Sequence, residues 1–448
     1  MNYSIIKKSQ LEGILRLDAE YYQTEYLSIF EKFGKQKILQ LGDFCKITDG
    51  DHAETPPFKQ EGKRYLRAKE LKDFFIDNSE PVFISENYFQ KIKRSHIKPF
   101  DIALSIMGTV GNIAIILPED GTMTANRAVS IISPKSQEIF SSYFLIVYLE
   151  SKFGVLQRER ESMGGVQLRV NLDDLSKIKI PIIKKERQKE IDNIFKKVVE
   201  EHCLSKKFYS QAENLLLEEL GLKDFENEES LFAVINLSEV KKVNRMDAEY
   251  FDAKYYKLFE KIESYKNGYS AIGKEFNQIR NNFKKEKGKL YNYIEISDVD
   301  ISMGAVDYHA IKSEELPANA KIKLGSRQLI TSKVRPNRGA TAILENHSGF
   351  IGSGAFVCLS EKGKINLETL QVYLKLKIIR DLLLRYNAGT SYPVINDEGV
   401  LNLKIPLIEN NIQQKITDLV KKSNEARKKA KELSEEAKNK VEKLIENK

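Results

Sequence analysis

The chain has 448 residues, 41% of them hydrophobic, enough for two or three domains with cores of their own. Its 72 Lys and Arg outnumber 64 Asp and Glu, so the net charge is +8 and the surface field favours polyanions. Three widely spaced cysteines without a Cys-x-x-Cys argue against a disulfide framework or a zinc site, and the opening MNYSIIKKSQ lacks the apolar core of a secretory signal. The most apolar run, Tyr143 to Leu149, is far short of the ~20 residues of a bilayer span, so a cytoplasmic protein with no membrane partner is expected.

In chain order, the first element is a short amphipathic helix carrying Tyr21, Tyr22, Tyr26 and Phe30. Short β-like runs follow, such as Ile102-Ala103-Leu104-Ser105-Ile106 and Asn112 to Leu117, punctuated by Gly108, Gly111, Pro118 and Gly121. A helix is expected around Ile139 to Leu156, then the Gly164-Gly165 loop, then a last strand at Ile178-Lys179-Ile180-Pro181. A long polar helix, roughly Glu186 to Leu220, closes this half. Its apolar stripe is Ile191, Ile194, Phe195, Val198, Val199, Phe208, Ala212, Leu215 and Leu216. The acidic, turn-like GLKDFENEES follows.

The second half repeats the first. Arg16-Leu17-Asp18-Ala19-Glu20-Tyr21-Tyr22 returns as Arg245-Met246-Asp247-Ala248-Glu249-Tyr250-Phe251, 229 positions later, and Ser9, Tyr26, Phe30, Glu31 and Lys32 match at the same offset. Gly164, Asn171, Lys179-Ile180-Pro181, Gln188 and Ile191 meet Gly389, Asn396, Lys404-Ile405-Pro406, Gln413 and Ile416 at an offset of 225. Copy one runs to about Gly221 and copy two from about Phe232. Copy two has its tight turn at Lys333-Val334-Arg335-Pro336-Asn337-Arg338-Gly339, a helix at Leu367 to Arg385, and a long helix from roughly Asn411 to Asn447. The stripe on that helix runs from Ile412, Ile416, Leu419 and Val420 through Ala426, Ala430 and Leu433 to Ala437, Val441 and Leu444. Two helices so striped should pair, and a duplicated chain makes an antiparallel coiled coil with pseudo-twofold symmetry the natural form. Each head is α+β. Each rod would be roughly 50 Å long at ~1.5 Å per residue. The middles do not match, since ITDGDHAETPPFKQEGKRYLRAKEL faces FNQIRNNFKKEKGKLYNYIEISDV, so a shared scaffold carrying two unlike surfaces is expected.

No catalytic motif is found. There is no Phe-x-Gly-x-Gly loop for S-adenosylmethionine, no phosphate-binding Gly-x-x-x-x-Gly-Lys-Ser/Thr and no His-Glu-x-x-His. Thr55-Pro56-Pro57-Phe58 lacks the amide or carboxylate that an adenine-binding Asn/Asp-Pro-Pro-Tyr/Phe loop needs, and reads as a stiff turn. His52, beside Asp49 and Asp51, reads as a loop hydrogen bond rather than a ligand.

The order of a β-rich head, a Gly-containing loop, a strand ending in Lys-Ile-Pro and a Gln-bearing helix start, then all of it again, resembles the specificity subunit of type I restriction-modification systems. The pieces that carry this are Asp49-Gly50-Asp51-His52 with Pro56, Lys98-Pro99-Phe100-Asp101, Gly108-Thr109-Val110-Gly111, and Gly389-Thr390-Ser391 before Lys404-Ile405-Pro406. Copy two departs at Arg280-Asn281-Asn282-Phe283, which stands where copy one has Asp49 to His52. The resemblance implies a target recognition domain at 1–185, a spacer helix at 186–225, a second recognition domain at 226–409 and a second spacer at 410–448. It implies a non-catalytic subunit that reads a bipartite, asymmetric sequence in double-stranded DNA. It also implies two modification subunits that methylate adenine at N6 with S-adenosylmethionine, and restriction subunits that use ATP and Mg. Two other readings are a DNA-recognition subunit of a type II-like methylase or nuclease, and a scaffold that binds protein only.

DNA reading needs cations against phosphates and planar donors against base edges, Arg to guanine and Asn or Gln to adenine being the strongest pairings. Copy one offers Lys59, Lys63, Arg64, Arg67 and Lys69 after the Pro-Pro turn, then Arg94, Lys98, Asn126, Arg127, Gln167 and Arg169. Copy two offers Arg280, Asn281, Asn282, Lys284, Lys285, Arg335, Asn337, Arg338, Ser391 and Tyr392. The favoured segments are Arg64 to Lys69 and Arg335 to Gly339, the latter stiffened by proline.

Overall fold

The structure is a computed structural model that describes residues 4–8, 11, 17–164, 168–225, 232 and 234–446. Ser9, Arg16, Gly165, Gln167 and connector residues 226–230, all used above, lie outside these. The chain divides into two compact units, one of Met1–His202 with Lys428–Lys448, the other of Cys203–Arg427.

Unit 1 begins with a 3-10 turn at Ala19–Tyr22 and a helix at Thr24–Lys32. Its strands are β1 (Ile38–Gln40), β2 (Cys45–Asp49), β3 (Lys63–Leu66), β4 (Leu71–Lys72), β5 (Phe75–Ile76) and β6 (Phe83–Ile84). After them come β7 (His96–Ile97), β8 (Ile102–Ser105), β9 (Ile113–Ile115), β10 (Met123–Ala125), β11 (Val129–Pro134) and β12 (Lys179–Pro181). One sheet has the order β2-β11-β8-β9, a second β6-β3-β10-β7, and β1 pairs with β12. All of β8 and β9 and the first four residues of β11 are buried. These strands read as continuous apolar runs because the helix Ser142–Glu150 packs against β9 and hides the face that would otherwise be polar. That helix is started by Ser141, whose hydroxyl accepts the amide of Phe144 at 2.9 Å.

Unit 2 has β13 (Tyr269–Ala271), β14 (Phe276–Gln278), β15 (Leu290–Ile294), β16 (His309–Lys312) and β17 (Ala320–Lys323). These are followed by β18 (Gln328–Ser332), β19 (Thr341–Leu344), β20 (Ile351–Ser353), β21 (Phe356–Glu361) and β22 (Lys404–Pro406). Its sheets run β14-β21-β18-β19 and β16-β15-β20-β17, with β13 on β22. The order and strand directions equal those of unit 1, down to the one parallel pair in the second sheet, β3 with β10 and β15 with β20. The shared scaffold therefore extends through the middles. Apart from the short β4-β5 pair of unit 1, the middles differ in residues but not in the order of their sheets, because that order depends on where apolar runs fall and not on which residues form the faces between them.

The duplication also repeats specific contacts. Arg160 stacks on the Tyr21 ring at 3.9 Å and donates Nε to the Tyr21 carbonyl at 3.1 Å; Arg385 does the same to Tyr250 at 4.3 and 3.0 Å. The buried phenols Tyr148 and Tyr373 donate to the carbonyls of Lys179 and Lys404 at 2.6 and 2.7 Å, which ties each core helix to the last strand. A buried hydroxyl left without such a partner would cost about 1–3 kcal/mol.

The single helix expected around Ile139 to Leu156 is two, Ser142–Glu150 and Lys152–Glu161. Ser151 is extended between them, its hydroxyl turned back on the Tyr148 carbonyl at 2.7 Å. Leu376 breaks the corresponding helix of unit 2 into Leu367–Lys375 and Lys377–Leu383.

The long helices span Lys185–Glu219 and Asn410–Ile445, and each contributes to both units. Gln188 and Gln413 fold back near their starts, donating to the carbonyls of Ile183 and Ile408, both at 2.8 Å. The helices pair antiparallel within each unit. In unit 1, Lys440 meets Glu190 at 3.0 Å and Lys429 pairs with Glu201. In unit 2, Ser205 and Ser423 each donate to the other's carbonyl at 2.8 Å, and Tyr209, Ala212 and Leu216 share one core cluster with Ile416 and Val420. Two polar residues, Ser205 and Ser423, thus sit in the apolar seam, where hydropathy alone does not place them.

Candidate nucleic-acid interface

In both units the loop between the third and fourth strands of the first sheet meets the segment that leads to the last strand. In unit 1 the amide of Val170 donates to the Ile106 carbonyl at 3.1 Å, and that of Gly108 to Leu168 at 3.3 Å, while Met107 bridges Arg169. In unit 2 the amide of Ile395 donates to Lys333 at 2.9 Å, and that of Arg335 to Pro393 at 2.7 Å, while Val334 bridges Val394. The two corners superpose bond for bond. Gly108 turns left-handed at φ +78°, and Arg335 holds the same place at φ +49°. A residue with a Cβ in that region costs roughly 1–2 kcal/mol, so copy two keeps an arginine where glycine would fold more easily.

Among the described arginines, three are exposed and have no carboxylate or hydrogen-bond partner for their side chains: Arg127, Arg169 and Arg335. All three lie at or beside these corners. Arg127 precedes Ala128, whose carbonyl accepts the amide of Ile106 at 2.9 Å, and Arg169 lies on the bridging segment itself. The Arg335 guanidinium sits 5.4 Å from the ring centroid of Tyr392, which is itself 47% exposed. Ser391 is exposed beside it.

The segment Arg64 to Lys69 is placed elsewhere. Arg64 is buried, giving Nη2 to Glu70 at 2.9 Å and Nη1 to the carbonyls of Tyr65 and Val82 at 3.2 Å each. Burial pushes its guanidinium below the usual range, with Glu70 opposing. Arg67 is held by Glu70 and by the Glu80 carbonyl at 2.8 Å, Lys69 by the Glu80 carboxylate at 3.1 Å, and Lys63 lies 3.8 Å from Glu86. These four cations share three carboxylates: Lys63 and Arg64 lie on β3, which is paired on both sides, and Arg67 and Lys69 on the turn that follows it. Lys59 and Lys98 are exposed. Arg94 donates to Asp49 at 2.6 Å, and His52 bonds the same carboxylate at 2.5 Å, as its neighbours suggested. Asn126 caps its own turn through the Ala128 amide at 3.3 Å. Gln167 lies outside the described residues.

In unit 2 the chain leaves β14 differently from the way unit 1 leaves β2. Asn281 accepts the amide of Lys323 at 2.9 Å, and Phe283 donates to Lys321 at 3.0 Å, so Arg280 to Lys285 runs along the edge of β17. This places exposed Asn282, Lys284 and Lys285 beside exposed Lys321 and Lys323, two lysines that the sequence reading missed. Their signal was the alternation Ala320-Lys321-Ile322-Lys323. Arg280 is bent toward Asp397 at 3.4 Å, which also accepts from Lys333 and Gln278, both at 2.7 Å. Burial works to raise this carboxyl, yet those partners hold it below the ordinary carboxylate range. Arg280, Lys333 and Asp397 line a cleft of about 610 Å³. Asn337 and Arg338 are half-buried, and their carbonyls accept from Arg380 at 3.3 and 3.2 Å.

Among the described residues, no group of three or more His, Cys, Asp or Glu could hold a metal ion, and no helix is long and apolar enough to cross a membrane.

Residues 34–214 match the family model described as "Type I restriction modification DNA specificity domain". The type I restriction enzyme EcoBI specificity subunit of Escherichia coli is 30% identical over 132 residues, which is 30% of this chain and 27% of that protein. The matched stretch thus spans little more than a quarter of that relative. The S subunit of a type I restriction-modification system from M. genitalium aligns over 92% of this chain and 96% of its own, at 13% identity and a TM-score of 0.41. The HsdS subunit from Thermoanaerobacter tengcongensis aligns over 92% and 97%, at 15% identity and a TM-score of 0.31. Most of copy one thus matches the model of the DNA specificity domain, the family that the ordered, duplicated motifs resemble.

Proposed function

We propose that the chain reads DNA for a type I restriction-modification complex, each unit recognising one half of a bipartite, asymmetric target while the paired helices set the gap. The observation that carries this reading is the repeated corner, which presents Arg127 and Arg169 in one unit and Arg335 over Tyr392 in the other, all without a carboxylate to neutralise them. Lys284, Lys285, Lys321 and Lys323 add cations for phosphates, and Asn282 an amide for adenine. The chain itself is non-catalytic. Adenine methylation falls to modification subunits, one for each copy, which bind S-adenosylmethionine, and cleavage to restriction subunits that use ATP and Mg in the cytoplasm.

The test is to express the chain with its modification subunit and map methylated adenines across a host genome. A bipartite motif with unlike halves is the expected result; no motif, or a contiguous palindrome, would overturn the reading. Binding should also weaken steeply with salt, as phosphate neutralisation requires. A second expectation concerns the helices. One heptad inserted into each is expected to change the gap and leave both half-sequences unaltered, whereas altered halves with an unchanged gap would refute the ruler.

A further inference from the structure

The turn that carries Arg335 and Arg338 is held from beneath by one side chain. Arg380, on the helix Lys377–Leu383, directs Nη1 to the carbonyls of Asn337 and Arg338 at 3.3 and 3.2 Å. Gly339 closes the turn at φ +75°, and a Cβ there would lie 2.6 Å from Cδ of Arg380, so the glycine leaves the space through which the arginine stem passes. Glu213 of the first long helix lies in the field of the same guanidinium: burial pushes its carboxyl up, opposed by Lys375 and by Arg380.

Among its described residues, unit 1 has no equivalent. Val155 stands 225 positions before Arg380. The arginine nearest the corresponding Gly111 is Arg158, which spends its guanidinium on the Leu149 carbonyl and on Glu150 at 2.8 Å. The brace therefore belongs to the unit whose corner carries an arginine in the left-handed position. Without Arg380, two half-buried carbonyls lose their donor, and the turn loses its anchor to the helix. A misplacement of about 1 Å is enough to break a bidentate contact between guanidinium and base.

We propose that Arg380 is a positioning residue for sequence reading by unit 2, setting the height and tilt of the Arg335 to Arg338 turn without touching DNA. This rests on the DNA-reading function proposed above.

The test uses the full chain assembled with its modification subunit, and compares Arg380→Ala, Arg380→Lys, Arg335→Ala and the double substitution Arg335→Ala with Arg380→Ala. Arg335→Ala identifies which half of the motif unit 2 reads. Arg380→Ala is expected to relax that same half and lower affinity for it about tenfold, with the other half and the gap unchanged. Lysine, which keeps one donor toward the carbonyls, should restore part of the loss. In the double variant the loss should be no greater than in Arg335→Ala alone, because both act through one turn. Additive losses, an unchanged motif in Arg380→Ala, or equal weakening of both halves with a lowered melting temperature would overturn the proposal. Absence of any bipartite motif from the unsubstituted complex would instead overturn the function beneath it, and this proposal with it.

Discussion

Replacing Glu70 by alanine is expected to destabilise unit 1 by about 3–5 kcal/mol, the largest effect of any single charge removal considered for this chain. The carboxylate is 4% exposed and holds both the buried Arg64 and the backbone amide of Arg67, at 2.9 and 3.0 Å. Truncation leaves a guanidinium in a place that water reaches poorly, with two carbonyls as its only partners. Replacing Arg64 and Glu70 together by methionine should cost far less, because it removes both charges and keeps the volume. Urea denaturation, with hydrogen exchange at the amides of Lys63–Leu66, measures this. The sign of a second readout decides what the cluster is for. If Arg64 and Arg67 face DNA, removing Glu70 frees them and tightens binding; if they brace β3, as their bonds to Glu70 indicate, binding weakens as that strand loosens.

Arg335 gives the second large effect, with opposite signs in two assays. Arg335→Ala should weaken binding to one half-site by about 1–3 kcal/mol, roughly 5- to 150-fold, and relax one position of it. Arg335→Gly should do the same to DNA binding yet raise folding stability by about 1 kcal/mol, since glycine takes the left-handed corner without strain, as Gly108 does in unit 1. Titration against the half-site and a thermal melt of the same samples check both. A glycine variant no more stable than the arginine would remove the argument that strain is kept there for function.

Much of the architecture was legible before any coordinates. The 3.6-residue stripes located both long helices, and Lys-Ile-Pro marked β12 and β22. What was not legible has two physical causes. Sheet order is a long-range property: the pairing of β3 with β10 joins segments about sixty residues apart, and nothing local in ITDGDHAETPPFKQEGKRYLRAKEL announces it. Charge state of a site is also long-range. Arg64 and Arg127 look alike in sequence, but Glu70 lies six residues from the first and takes its charge, while the second has no carboxylate at hand. Arg335 to Gly339 could be singled out because proline and glycine declare a turn. Arg380, forty residues away on a helix, could not.

Each long helix gives part of its length to each unit, and this orders events in time as well as in space. Unit 2, Cys203–Arg427, is a continuous stretch and can close as soon as it leaves the ribosome. Unit 1 cannot. Its helix Lys152–Glu161 begins with an amide that donates to Glu442 at 2.7 Å, and Lys152 and Lys32 both reach Glu446, at 2.7 and 3.1 Å. The fully buried Val441 and Ile445 belong to it too. The head that is translated first therefore waits for the second to be made before its own last contacts form. A stop codon just after Arg427 would injure unit 1 and leave unit 2 intact.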